Sequence, residues 1–394
     1  MQTMKITQVK ARVYRAQSKK PITAIQPVSK EKSPESKYVN SVIVKVETSD
    51  GSVGYGESMV SAGGDVTGVT TSEVTCQIIN GLIAPNILGR DTFEHESLWK
   101  YMNRLAGYHG MGGLLLDGVS AVDTALWDLV GKELGQPLNR LMTEDGKQNI
   151  HIYGSKIPGI SDANQLDSFR ANVKDMMGRG FCGIKVGGGL GIKNDALAMK
   201  IARELCGDDV SLMLDVFGSY DEAEALALGE SIKATNPEWF ECPIDPLDIF
   251  GYLDLSKKMR LRIALDPIPE INVLRKMLEM NEKFVTLIDV TRDGGITGFS
   301  NIAKFSGKLG SEISAHAGWS VTAIGIAASI QMAASFKNLK WMEFRSQYDD
   351  NPLSSDITSN SFIVERGQIK VPSFPGIGVK IDEEKLSTYE VVQR

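Results

Sequence analysis

The chain has 394 residues, 42% hydrophobic and 23% charged, with a formal net charge of −6. That length holds two domains with large cores, and an acidic balance without a basic stripe excludes a nucleic-acid footprint. Four scattered cysteines (Cys76, Cys182, Cys206, Cys242) point to a reducing cytoplasm rather than a disulfide framework, and no apolar run has the length of a membrane span or the form of a signal peptide.

Met4 to Tyr14 alternates as a strand. Arg15 to Asn40, rich in Lys, Ser and Pro, reads as a loop or mobile flap; its Lys19, Lys20, Lys30, Lys32 and Lys37 would either attract an anionic substrate or be simply solvated. Ser41 to Glu47 and Val53 to Glu57 are strands joined at Ser49-Asp50-Gly51, a hairpin signal. Val119, Val122, Leu126, Leu129 and Val130 recur at helical spacing, with Gly135 at the C-terminal cap and Pro137 as the stop. Val119 to Met142 is therefore a buried helix plus its exit, with Trp127 and Asp128 assigned to packing and surface.

From Asn149-Ile150-His151-Ile152-Tyr153 onward the chain repeats. Seven further short apolar runs end in Lys185, Asp215, Glu241, Asp266, Asp289, His316 and Glu343, at spacings of 30, 26, 25, 23, 27 and 27 residues. That interval holds one strand, one helix and two loops. In a barrel of parallel strands the C-terminal strand ends carry the chemistry, so seven polar groups would meet at one mouth. Helices are expected over 196–205, 221–234, 271–280, 299–309 and 321–334. Residues 368–380 read as two short strands about a Pro/Gly turn, returning to the first domain. The fold class is α/β: an α+β capping domain over residues 1–148, completed by about 350–394, on a modified TIM barrel, (β/α)7β, over 149–349.

Asp215, Glu241 and Asp266 are hard oxygen ligands on consecutive strand ends and would repel one another unless a cation such as Mg2+ sat between them. Asp289 beside His316 would fix the imidazole tautomer and make it a positioned base. Lys185 would neutralise a substrate carboxylate or, if neutral, accept a proton. Glu343 is either an electrophile or acid facing developing charge, or a member of a buried ion pair. Gly187, Gly188, Gly189 and Gly191 fit neither the P-loop nor the dinucleotide fingerprint.

These residues, together with Gly54-Tyr55-Gly56-Glu57, the helix from Ala121 to Lys132, the stretch Asp289-Val290-Thr291-Arg292-Asp293-Gly294-Gly295-Ile296-Thr297 and the tail Val371 to Val379, resemble the mandelate racemase and muconate lactonizing branch of the enolase superfamily over nearly the whole chain. The resemblance implies Mg2+ on Asp215, Glu241 and Asp266, a His316–Asp289 dyad, and abstraction of a proton α to a carboxylate. It departs from the family at two points. Where the family's second strand ends Lys-x-Lys, this one reads Lys185-Val186-Gly187, so no second base faces His316 and one-base dehydration is favoured over two-base racemisation. The third ligand strand ends Asp266-Pro267-Ile268-Pro269-Glu270, so Glu270 is the fallback to Asp266.

The expected function is that of a cytoplasmic, Mg2+-dependent dehydratase acting on a small-molecule carboxylate, an aldonate or aldarate, to give a 2-keto-3-deoxy acid. Self-association into a homo-oligomer is expected, and neither nucleic acid nor membrane is an expected partner. The alternatives are an epimerase or cycloisomerase on the same site, and a non-catalytic acid-sugar-binding barrel. The resemblance implies that loops of the capping domain, here residues 15–40 and 58–68, would set the identity of the acid sugar, and their sequence does not report hydroxyl stereochemistry.

Overall fold

The computed structural model describes residues 4–23, 35–59, 71–108, 112–281, 283–317, 321–345, 350–360 and 362–391. The chain begins with a three-stranded antiparallel sheet, β1 (Ile6–Thr23), β2 (Glu35–Thr48) and β3 (Val53–Ser58). Against expectation, the ladder runs through much of Arg15 to Asn40, pairing Arg15 with Asn40, Gln17 with Tyr38 and Thr23 with Glu35. The buried face there is carried by the small residues Ala16 and Ser18 and by Val39, so an alternation exists that a search for large apolar side chains misses. Lys30, Lys32 and residues 60–68 lie outside the described residues.

Helices α1 (Thr71–Ile78), α2 (Ala84–Ile87), α3 (His95–Tyr108), α4 (Leu114–Glu133) and α5 (Leu138–Met142) follow. Helix α4 lies directly on β3. A Cβ at Gly54 would stand 2.2 Å from the Ala125 carbonyl oxygen and one at Gly56 1.8 Å from that of Ala121, so only glycine permits this approach.

The second half alternates strictly: β4 (Asn149–Ile157), α6 (Leu166–Gly178), β5 (Gly183–Gly187), α7 (Ile192–Cys206), β6 (Ser211–Asp215), α8 (Glu222–Ile232), β7 (Trp239–Glu241), α9 (Ile249–Lys258), β8 (Ile263–Leu265), α10 (Ile271–Met280), β9 (Val285–Ile288), α11 (Gly295–Lys308), β10 (Ile313–Ala315), α12 (Ala323–Ser335) and β11 (Leu339–Arg345). Each strand pairs in parallel with the next, and β11 closes on β4 through Met342–Ile152 and Glu343–Tyr153. This is the (β/α)7β barrel. Helices α6 and α9 were not among the expected elements: on α6 the buried Phe169, Val173 and Met176 are few and separated by polar residues, and on α9 the buried Gly251, Tyr252, Leu253 and Leu255 span little more than one turn. Tyr153, Met213, Trp239, Ala264, Val285, Leu287 and Trp341 fill the lower bore, while their strand neighbours pack outward on the helices.

The tail differs in detail. Its hairpin is β12 (Val364–Glu365) with β13 (Gln368–Lys370), and β13 adds antiparallel to β4. Residues 371–380 hold no strand. They return to the first half, where Gly376 N–H donates to Gln136 O and Ile377 N–H to Asp128 Oδ1; after α13 (Glu383–Ser387), Val391 N–H donates to Val13 O.

The seam between cap and barrel is built on buried acids. Glu57 accepts from Thr322 N–H at 2.9 and 3.0 Å, Thr322 Oγ1 at 2.7 Å and Gly325 N–H at 2.8 Å, which caps α12. Asp123 caps α11 through Thr297 N–H and Oγ1, both at 2.8 Å. Asp128, expected at the surface, is fully buried and accepts from Tyr55 N–H, Ile377 N–H and Lys132. Trp127 packs as expected, with its indole N–H bonded to Thr297. Among the described residues no helix is long and apolar enough to cross a membrane.

Candidate active site at the barrel mouth

Alternation along the strands decides which side chains face the barrel axis. Met213 and Asp215 share the inner face of β6, Trp239 and Glu241 that of β7, and Trp341, Glu343 and Arg345 that of β11. An apolar layer therefore underlies a charged one. Asp215 and Glu241 are the last residues of β6 and β7, and Asp266, Asp289 and His316 come immediately after β8, β9 and β10. Lys185 and Glu343 lie deeper than expected. Lys185 is the central residue of β5, and two residues of β11 follow Glu343; both side chains are long enough to rejoin the upper layer.

The seven groups do meet. Lys185 Nζ lies 2.6 Å from Glu241 Oε1 and 3.6 Å from both Asp215 Oδ2 and Glu343 Oε2. His316 Nδ1 is 2.8 Å from Asp289 Oδ2, and its Nε2 is 3.6 Å from Asp266 Oδ2 and from Glu343 Oε2. Asp289 Oδ1 is occupied by Thr291, through N–H at 2.8 Å and Oγ1 at 2.6 Å. The carboxylate is thus fixed as an acceptor, the ring donates from Nδ1, and Nε2 is turned to the mouth. Asp266 keeps 18% side-chain exposure, the most open of the set. Glu270 lies aside, capping α10 through Asn272 N–H and Val273 N–H.

Burial, then mutual repulsion, sets the charges. Burial pushes Asp215 up to about 6, with Lys185 opposing and Asp266 adding to the rise. Glu241 is pushed up to about 8, by burial first and Asp215 second. Burial alone would lower the Lys185 pKa, yet Glu241, followed by Glu343, raises it well above its ordinary value, so the ammonium stays charged. Glu343 is drawn down by Lys185 and Arg345 against burial, and is ionised. Asp266 and Asp289 are likewise lowered, the first chiefly by Arg292 and the second by its bond to His316. Desolvation opposes charging His316, but Asp266, Glu343 and Asp289 outweigh it and raise the ring.

Several contributors escaped the sequence reading. Arg292 pairs with Asp266 at 2.8 Å and with Asp293 at 2.9 Å. The Trp239 indole N–H donates to Glu241 Oε2 at 2.9 Å. Tyr153 OH lies 3.5 Å from Glu343 Oε2, and Arg345 Nη2 lies 3.6 Å from Glu343 Oε1. Trp239 and Arg345 each stand two residues from an acid on the same strand, so the period of two would have found them. The glycine run after Lys185 is no phosphate cradle: the amides of Gly189 and Leu190 go to Asp195, and that of Gly191 to Tyr220 OH. Among the described residues no three His, Cys, Asp or Glu side chains stand close enough together to hold a metal ion as they lie. Lys185, Arg292 and Arg345 bring positive charge among the acids.

Residues 168–385 match the family described as enolase C-terminal domain-like, and residues 15–143 match the mandelate racemase / muconate lactonizing enzyme N-terminal domain. The chain is 30% identical over 358 residues to arabinonate dehydratase of Saccharolobus solfataricus, covering 89% of this chain and 90% of that one. It is 25% identical over 367 residues to D-galactarolactone cycloisomerase of Agrobacterium fabrum, covering 89% and 91%. The fold matches the structure of a racemase from Streptomyces coelicolor with bound magnesium, with a TM-score of 0.82, 22% identity and coverage of 98% and 100%.

Proposed function

The chain belongs to the mandelate racemase and muconate lactonizing enzyme family of the enolase superfamily, and on that premise we propose that it is a Mg2+-dependent acid-sugar dehydratase, a hydro-lyase converting an aldonate or aldarate to a 2-keto-3-deoxy acid. The observation that carries this reading is the His316–Asp289 pair at 2.8 Å, set at the same mouth as three carboxylates on consecutive strand ends. Enolase-superfamily sites use such an ion beside a Lys or His base, and the donor set fits it: three hard oxygen groups, two of them with pKa raised by burial and by neighbouring carboxylates. Asp215, Glu241 and Asp266 would hold the ion, with Glu270 committed to its helix cap. When bound, the ion supplies positive charge beside the substrate carboxylate as that group gains its second negative charge.

His316 Nε2 removes the α-proton, and Asp289 keeps that nitrogen available by accepting from Nδ1–H. The C–H electron pair enters the ene-diolate. Lys185, held charged, binds the carboxylate and offsets the developing charge rather than acting as a base. Return of the electron pair expels the β-hydroxyl, which takes the proton from His316 and leaves as water, and the enol product ketonises. Glu343, held ionised, anchors Lys185 and the ring from 3.6 Å each, the ion-pair role weighed for it in the sequence.

The test is a screen of aldonates and aldarates with Mg2+ for 2-keto acid formation, with His316→Asn as control. Activity surviving that substitution would sink the assignment of the base. The similarity to a cycloisomerase favours one second reading, in which the same proton is removed and the hydroxyl stays. Solvent deuterium entering the α-position without keto-acid formation identifies that case.

A further inference from the structure

Gly187 ends β5, paired in parallel with Asp215. The fold does not demand glycine there. A Cβ at position 187 would meet Ile157 O at 3.4 Å and the Phe217 ring at 3.7 Å, both ordinary contacts, whereas one at Gly188 would strike Asp195 Oδ2 at 2.8 Å, and Gly189 has a φ of +82°. What lies beyond the missing side chain is supplied by the turn that follows β6. Phe217, two residues after Asp215, has a φ of 54°, a left-handed conformation that a bulky residue adopts only where its surroundings hold it. Its N–H donates to Asp215 Oδ1 at 3.1 Å, and the following Gly218 N–H to Cys242 O at 2.7 Å. The ring is half-buried at the mouth.

We propose that Phe217 is a specificity-determining residue: from the turn after β6 its ring fills the part of the mouth that a side chain at position 187 would enter, and it selects acid sugars that turn C–H groups, rather than hydroxyls, toward the β5–β6 corner. The backbone amides nearby are already engaged, and Asp215 Oδ2, 3.6 Å from Lys185 Nζ, is one of the oxygens proposed to hold the ion. Asp215 Oδ1 is taken by the Phe217 amide, the Gly188 amide by Asp215 O, and the Gly189 amide by Asp195. A hydroxyl pressed against this corner loses its water and finds no partner, whereas a C–H face gains apolar contact. This inference rests on the reading that acid sugars bind this mouth.

The experiment uses the full-length protein with Mg2+ and a panel of aldonates, each epimeric at one carbon, with the matching deoxy acids. Phe217→Gly removes the ring and places at the left-handed position the residue that favours it, so the melting temperature is expected to hold or rise. The preference in kcat/KM for the deoxy acid over its hydroxylated parent, at the carbon facing the corner, is expected to fall at least tenfold, chiefly through KM. Calorimetric affinities for the same panel on His316→Asn protein measure the preference without turnover. If the wild type turns nothing over, the reaction reading fails while the affinity ranking still judges Phe217. A ranking unchanged within twofold by Phe217→Gly overturns the proposal, as does failure of every panel acid to bind. Gly187→Leu alone is expected to crowd the ring and weaken binding at least tenfold, while Gly187→Leu with Phe217→Gly refills the space and restores the ranking. Additive effects of the two changes also overturn the proposal, because two residues sharing one space must couple.

Discussion

Buried acids occur in two regions of this molecule and are satisfied differently. At the seam, Glu57 and Asp123 accept from backbone N–H groups and hydroxyls at helix N-termini, and Asp128 from two backbone N–H groups and one lysine. At the mouth, Glu241, Asp266 and Glu343 are held mainly by the side-chain cations Lys185, Arg292 and Arg345. Backbone donors cannot leave, so the seam acids act as fixed tethers between cap and barrel. Side-chain cations can swing away, so the mouth acids can exchange partners for a substrate or a metal ion. Burial alone marks both sets; the identity of the donors separates them.

Breaking the mouth should abolish chemistry and leave the fold intact. His316→Asn or Asp289→Asn is expected to lower kcat/KM roughly a thousandfold, within the range general-base removal commonly costs, with melting shifted little. Retention of more than a tenth of the activity would count against the dyad. Removing one proposed ligand acts on the ion first. Glu241→Gln is expected to weaken Mg2+ binding by about tenfold or more in calorimetry, since it deletes one of three anionic donors. An isotherm matching the wild type would move the metal elsewhere.

The same contrast explains what the sequence could disclose. Strand ends at the barrel period placed Asp215, Glu241, Asp266, Asp289 and His316 at one mouth because period and burial are local properties of the chain. Depth was not local: Lys185 and Glu343 stand inside their strands, and only the register with neighbouring strands shows it. Asp128 was misjudged because an acid at helical spacing beside Trp127 looks solvent-facing until β3 and the tail close over it. The ladder pairing residues 15–23 with 35–40 was hidden behind small residues. Arg292 stands inside the stretch from Asp289 to Thr297, yet its role depends on Asp266, a residue that follows another strand.

Breaking the seam should do the reverse. Glu57→Ala strands the donors of Thr322 and Gly325 at the start of α12, and leaving buried donors unsatisfied costs about 1–3 kcal/mol. The melting temperature is expected to fall by several degrees while KM stays within about threefold, because Glu57 touches no proposed substrate contact. A large KM change with no loss of melting temperature would make Glu57 part of the site.

The smallest effect sharpens the comparison most. Burial pushes Glu57 up to about 8 despite its bonds from Thr322 and Gly325, whereas an unfolded glutamate titrates near 4.3. Between those values the folded protein binds more protons than the unfolded chain, so stability from this group falls as pH rises and levels off above about 8. Glu57→Gln cannot titrate. The melting temperature of the wild type relative to that variant should therefore decline by about a few degrees from pH 5 to pH 8 and then stay flat. A difference constant from pH 5 to pH 9 would mean that backbone donors at a helix N-terminus keep the carboxylate ionised even in full burial. Glu57 would then carry its charge through fixed dipoles, as the mouth acids carry theirs through Lys185, Arg292 and Arg345.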